Sequence, residues 1–413
     1  MRMNYVWFFL MMISLLTAAF TGKIELLPAS AFEMAGTAVN IVLGLIGILT
    51  LWLGLMRIAE NAGLIRSLAR LLTPVGKHLF PGIPDGHPAM GSMTLNIAAN
   101  WLGLGNAATP FGIKAMEHLQ ELNPDKERAT DAMIMFMGLN TSSITLVPIT
   151  IIGVRTSLGS TDPGAIIGTT LFSSLCATIA AIAAVKILTH ATWGLSQFTS
   201  WLLRTWKWWT FLLIFIGLML FLRRTGLPLG SESIPFFRKS VDLISKWTIP
   251  LLLLLILGAA AVKKVRVYEV FIDGAKEGFQ VAIRIIPYLV AILAAIAMFR
   301  TSGAMDVLIQ IITPFTRGIG FPAEVLPAAL MRPFSGSGTL GIITELMQVH
   351  TPDSFIGCLS STIYGCTETT FYVLAVYFGA VGIRQTRFAV AAGLFADGVG
   401  ILASLFICRL IFL

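Results

Sequence analysis

The sequence predicts an all-α polytopic membrane protein made of two homologous five-element helical repeats, each carrying a broken or re-entrant helix. Three observations predict it. Of 413 residues, 56% are hydrophobic and 12% charged, and mean hydropathy is +0.83, too apolar for a soluble α/β domain. Apolar runs of roughly 20 residues recur, the length at which a helix crosses a bilayer with every backbone polar group paired internally. Segments of the first half return, in the same order, in the second.

The first run, 5–22, follows Arg2 and resembles a signal peptide. A further span succeeds it and the small-residue site near Ala18 and Ala19 is weak, so an uncleaved helix is expected. Spans are also expected at 35–56, 131–154, 164–187, 201–222, 247–262, 280–299, 355–381 and 387–412. Two stretches of a different kind, 88–119 and 322–348, are interrupted by GLGNAATPFG at 103–112 and by RPFSGSGTLG at 332–341. Irregular backbone at membrane depth survives only where protein buries it or it lines a wet cavity. Non-helical segments are therefore expected at 105–110 and 335–339, facing each other near mid-membrane.

The repeat is read from three registers. NAGLIRSLARLLTP at 61–74 lies over TSGAMDVLIQIITP at 301–314 with offset 240, placing Gly63 on Gly303. NTSSITLVPITIIG at 140–153 lies over CTETTFYVLAVYFG at 366–379 with offset 226, placing Thr141 on Thr367 and Ser142 on Glu368. LFSS at 171 lies over LFAD at 394 with offset 223. Steadily falling offsets mean loop-length changes within one duplicated unit. The expected domains are 1–195 and 247–413, with 196–246 a linker carrying one extra span.

Gly336-Ser337-Gly338-Thr339-Leu340-Gly341 fits the G-x-G-x-x-G pattern of dinucleotide-binding loops. That loop binds pyrophosphate only between a strand and a helix. No β-rich segment precedes it, and its partner in the first half reads Gly105-Asn106-Ala107-Ala108-Thr109. No dinucleotide or other cofactor is expected.

Each repeat offers two candidate binding clusters. One is the break: Asn106 and Thr109, then Ser335, Ser337 and Thr339, where free amides and carbonyls coordinate a solute and a half-helix N-terminus favours an anion. The other is the polar run of the following helix: Asn140, Thr141, Ser142 and Ser143, then Thr367, Glu368, Thr369 and Thr370. Single small hydroxyl residues commonly serve only close helix packing. Four consecutive polar residues in both repeats exceed what one contact face uses. Glu368, placed mid-span, costs about 2.5 to 3.5 kcal/mol unless paired, protonated or wet. Arg332 and Arg284 are its expected partners, and a fixed salt bridge and a role in substrate or proton coupling both remain open. Asp397, deep in the last span, raises the same question. Asn40, Asn96, Asn100 and Trp101 are weaker candidates.

The formal charge of +8 comes from 29 basic and 21 acidic residues, yet no basic stretch is interleaved with aromatics, so nucleic acid is not an expected partner. Basic loops explain the charge, and their pattern at 57–80, at 186–207 and at Arg384 with Arg387 favours inverted repeats. Arg223, Arg224, Arg238, Lys239 and Lys246 in the linker oppose that topology. Cys176, Cys358, Cys366 and Cys408 lie in apolar or small-residue stretches without C-x-x-C spacing and read as packing residues. His78, His87, His118, His190 and His350 lie too far apart for a helical metal pair, so no metal is expected.

LWLGLMRIAENAGL, HPAMGSMTLNIAANWLGLGNAATPFGIKAME and NTSSITLVPITIIGVR make the first half resemble spore maturation protein A. KEGFQVAIRIIPYLVAILAAIAMFRTSGAMD, PAEVLPAALMRPFSGSGTLGIITEL and PDSFIGCLSSTIYGCTETTFYVLAVYFGAVGI make the second resemble spore maturation protein B. The resemblance implies a fused protein with two nucleoside-recognition gate domains in the cytoplasmic (inner) membrane, a module shared with nucleoside transporters and ferrous-iron permeases. It also implies relatives used in dehydrating the spore core. The expected function is a secondary transporter or permease for a small polar solute. The alternative is a non-transporting protein acting in envelope maturation through partners. An enzyme is not expected, since no nucleophile and base stand in a recognisable arrangement. The expected partners are the lipid bilayer and a small polar solute, with self-association open.

Overall fold

The computed structural model describes residues 2–103, 108–190, 235–318 and 320–413. The predicted span at 201–222, most of the linker, and Asn106 lie outside the described residues, which are helical throughout save for turns and one isolated bridge.

Helix α1 (Arg2–Thr21) leads into α2 (Leu26–Asn61), 36 residues long, which at 1.5 Å per residue reaches about 54 Å, well beyond a hydrocarbon core of about 30 Å. Amphipathic α3 (Leu64–Leu79) follows. The first interrupted segment is a hairpin of two half-helices, α4 (Pro88–Trp101) and α5 (Thr109–Glu121). Next come α6 (Asp131–Thr141), α7 (Ile149–Ser157) and α8 (Ile167–His190).

The second half gives α9 (Pro235–Val262), the 35-residue α10 (Val267–Thr301), amphipathic α11 (Ala304–Arg317), and a second hairpin of α12 (Leu326–Met331) and α13 (Gly336–His350). It ends with α14 (Phe355–Cys366), α15 (Thr370–Ala380) and α16 (Ala389–Phe412). Among the described residues, five helices are long and apolar enough to cross a membrane: Leu26–Asn61, Pro163–Thr189, Val241–Val262, Val267–Thr301 and Ala389–Phe412.

Three expectations need correction. The runs 131–154 and 355–381 are not continuous spans; each unwinds inside its polar cluster, at 142–148 and at 367–369. In the first, Pro148 cannot donate to the preceding turn; in the second, Glu368 N–H donates 2.7 Å to Thr141 O of the other half instead of to its own helix. The second hairpin breaks at 332–335, earlier than expected, because Ser335 caps α13 by accepting from Gly338 N–H at 3.0 Å, so Ser337 and Thr339 are helical. Thr109 and Pro110 are likewise the first turn of α5, where proline suits the orphan-donor positions.

Packing joins matched elements. A Cβ added to Gly274 would stand 2.5 Å from Leu53 O, and one on Gly278 would stand 2.6 Å from Leu49 O, so α10 runs antiparallel to α2 with backbones in contact. Gly400 faces Ala177 and Phe406 faces Phe172, so α16 runs antiparallel to α8. Gly63 (φ 78°) and Gly303 (φ 88°) both turn left-handed before an amphipathic helix, a conformation that glycine adopts without strain.

Candidate solute site at the crossed helix breaks

The broken pairs α6–α7 and α14–α15 cross where both are unwound. Glu368 N–H donates to Thr141 O across the crossing, and Thr178 Oγ1 of α8 donates 2.5 Å to Ser142 O. Each hairpin docks on the broken pair of its own half by one backbone bond: Leu146 N–H of the unwound stretch to Trp101 O at the end of α4 at 3.1 Å, and Phe371 N–H in the first turn of α15 to Pro333 O of the break at 3.0 Å. Thus, among the described residues, it is the crossing stretches that meet, and the hairpins join through them. Residues 104–107 of the first break lie outside the described residues, and so does the expected meeting of the two hairpin breaks.

The structure sorts the predicted residues. Asn140 accepts from Asn100 Nδ2 at 2.9 Å and from Tyr377 Oη at 3.4 Å, and donates to Phe136 O. Asn96 donates 2.9 Å to Ala108 O and 3.2 Å to Tyr377 Oη. Thr141, Ser142, Ser143, Thr367, Thr369 and Thr370 are all buried at the crossing. Ser142 donates to Gly138 O and Thr339 to Ser335 O, each to the carbonyl four residues earlier, so these hydroxyls serve local backbone. Ser335 and Ser337 hydroxyls lie 3.4 Å apart at the start of α13, and Thr109 is partly buried at the start of α5. Arg284 sits on α10, its side chain outside what the structure describes.

Arg332 is buried and holds the second break together. It donates to Thr367 O and, at 3.3 Å, to Thr369 Oγ1, and lies 4.6 Å from the Tyr364 ring centroid. Its Nη2 stands 3.7 Å from Glu368 Oε2. The Glu368 side chain is 50% exposed and lies in the unwound stretch beside Arg332, one of the two partners expected for it. It leaves the unwound stretch and is only half enclosed by protein. Gly336 permits this assembly: a Cβ there would sit 3.1 Å from Thr369 Oγ1 and 3.4 Å from Arg332 Nη1.

Three residues went unread in the sequence. Tyr377 of α15 lies against Gly112 of α5, stacks on Phe136 and bonds both asparagines, joining the halves. Glu345 of α13 is buried and pairs with Arg300 at the end of α10; an acid inside an apolar half-helix was its signal. Arg155 is 0% exposed and bonds Asp353 Oδ1 at 2.9 Å, Pro352 O at 2.5 Å and Ser160 Oγ at 3.2 Å. This ties the end of α7 to the loop before α14. At the other end of the crossing, Arg387 bonds Asp131 Oδ1 at 2.6 Å and Gln385 O accepts from Ala129 N–H at 3.0 Å, tying the loop after α15 to the start of α6.

Long apolar helices around two crossed, unwound helix pairs define a multi-pass helical membrane protein. Comparison narrows the class: the Gate family, described as nucleoside recognition, matches residues 42–158 and 282–384, more than half of the chain, and the chain belongs to it. It is 49% identical over 172 residues to spore maturation protein B of Bacillus subtilis (strain 168), spanning 42% of this chain and 97% of that protein. It is 44% identical over 179 residues to spore maturation protein A of the same organism, spanning 43% of this chain and 91% of that protein. No solved structure matches.

Proposed function

We propose that the protein is a non-enzymatic secondary transporter or permease for a small polar solute, bound where the unwound stretches cross. The observation that carries this reading is the Glu368-to-Thr141 backbone bond joining two interrupted helices from separate halves. Breaks of this kind free backbone donors and acceptors for a solute, and their paired arrangement suits alternating access. Antiparallel packing of α2 with α10 and of α8 with α16 supports an inverted arrangement of two fused repeats, one like each spore maturation relative. The name of the matching family makes nucleosides the first solutes to try.

The test is a thermal-shift screen of the purified protein against nucleosides and other polar metabolites. A true ligand at 100 times its Kd adds about 2.7 kcal/mol to stability. The relatives' names support a second reading, a non-transporting role in spore or envelope maturation through partner proteins. No stabilising solute, together with an intact pull-down partner, would favour it.

A further inference from the structure

Among the described residues Asp397 is the buried aspartate, 2% exposed, midway along α16. The glycines a turn on either side show what it faces. A Cβ on Gly393 would stand 2.7 Å from Thr370 Cγ2, and one on Gly400 would stand 3.0 Å from Thr367 Cγ2. This face of α16 therefore lies on the unwound stretch and the first turn of α15. Thr370 Oγ1 donates a 2.6 Å hydrogen bond to Asp397 Oδ2. The other oxygen, Oδ1, is buried without a partner, and Thr367 Oγ1 shares that condition.

An ionised carboxylate at such a place needs a cation. The buried cation of the neighbourhood, Arg332, directs its Nη groups to Thr367 O, Thr369 Oγ1 and Glu368 and lies over the Tyr364 ring; its buried Nε has no partner and its charge reaches Asp397 only through space, for no ion pair among the described residues includes Asp397. The elements packed against this face carry Tyr364 and Cys366 (α14), Glu368 (the unwound stretch), Tyr377 (α15) and Cys176 and Lys186 (α8); Lys186, the cation among them, lies nine residues beyond Ala177, which faces Gly400, and so sits toward the start of α16 and away from Asp397. On α6, Asp131 lies at the far end, paired with Arg387. No group of three His, Cys, Asp or Glu side chains gathers among the described residues, so the donor set does not suit a transition-metal ion. An isolated buried carboxylate is neutralised by taking up a proton.

We propose that Asp397 is a proton-binding site. The proton comes from water and resides on Oδ1, with the O–H directed at Thr367 Oγ1 while Oδ2 keeps its bond from Thr370. Thr370 begins the half-helix α15 and Thr367 closes α14, so gain or loss of this one proton is linked to whether both half-helices stay seated on α16. In the first repeat the matching residue is Ser174, so only one half carries the site. The assignment stands whether or not a solute crosses at the breaks.

The test is infrared spectroscopy of protein labelled with carboxyl-¹³C aspartate, at neutral pH. Expected is a carbonyl stretch of a protonated carboxyl that carries the isotope shift and is lost in Asp397→Asn. Asp397→Asn, neutral and of the same shape, is expected to keep the wild-type thermal transition, and replacing choline chloride by sodium chloride at equal strength is expected to move neither protein. A wild-type spectrum without the labelled band overturns the proposal, even if the variant fails to fold. A sodium-specific stabilisation that Asp397→Asn abolishes overturns it in favour of a metal cation.

Discussion

At the scale of single residues the charges fall into two kinds. Glu368 is half exposed and only 3.7 Å from a buried arginine that has other partners, so the pair resembles a surface salt bridge, worth about 0 to 1 kcal/mol. Glu368→Gln is therefore expected to keep expression and shift stability by about 1 kcal/mol or less, while abolishing stabilisation by whichever nucleoside or metabolite the screen returns. If it unfolds the protein and neutralising Arg332 restores it, the acid is structural. Asp353 is the other kind. Burial works against its ionisation, but hydrogen bonds from Ser160 and Thr161 and the Arg155 guanidinium outweigh it and hold the carboxyl below the usual carboxylate range. A lowered folded-state value contributes stability that is present above the unfolded value, near 3.9, and lost as pH falls through the folded one. Acid titration of thermal stability should show wild type losing its advantage over Asp353→Asn below pH about 4; equal acid losses in both proteins would reject the clasp.

At the scale of elements, α2 and α10 touch backbone to backbone through Gly274 and Gly278. In lipid such close approach supplies dispersion contact in place of a hydrophobic driving force. Gly278→Leu is expected to destabilise the detergent-purified protein by about 1 to 3 kcal/mol through overpacking. Gly47→Leu, whose added Cβ meets nothing within 4 Å, should show no such loss in the same unfolding measurement; matched losses would mean that the contact does not hold the pair. The long apolar helices were legible because their signal is local: twenty or so apolar residues leave no other structure available. The hairpin breaks were legible through glycine and proline. The breaks in the crossing helices were not, although their polar runs were noticed. CTETT at 366–370 contains no helix breaker; it unwinds because partners from elsewhere, Thr141 O, Arg332 and Asp397, take its polar groups. Arg332, one of two arginines offered as partners of Glu368, stands beside it, while Arg155, whose ion-pair partner Asp353 lies 198 positions away, was passed over.

At the scale of the whole molecule the open matter is how the two halves sit relative to the bilayer. Three antiparallel relations bear on it: α2 with α10, α8 with α16, and the crossing of the two broken pairs, whose opposite ends are clasped by Arg155–Asp353 and Arg387–Asp131. If 61–74 and 301–314 are equivalent, antiparallel packing of the helices preceding them sends α3 and α11 to opposite faces. Three basic residues on α3 (Arg66, Arg70 and Lys77) suit the cytoplasmic side, whereas the matched positions on α11 are Asp306, Gln310 and Arg317, with no net positive charge. Ser67 and Val307 occupy equivalent, exposed positions. Single cysteines at these two sites, in a background with the four native cysteines replaced, should label from opposite sides of sealed vesicles with a membrane-impermeant maleimide. Labelling from the same side would make the repeats parallel and remove the inverted symmetry on which alternating access at the crossing depends.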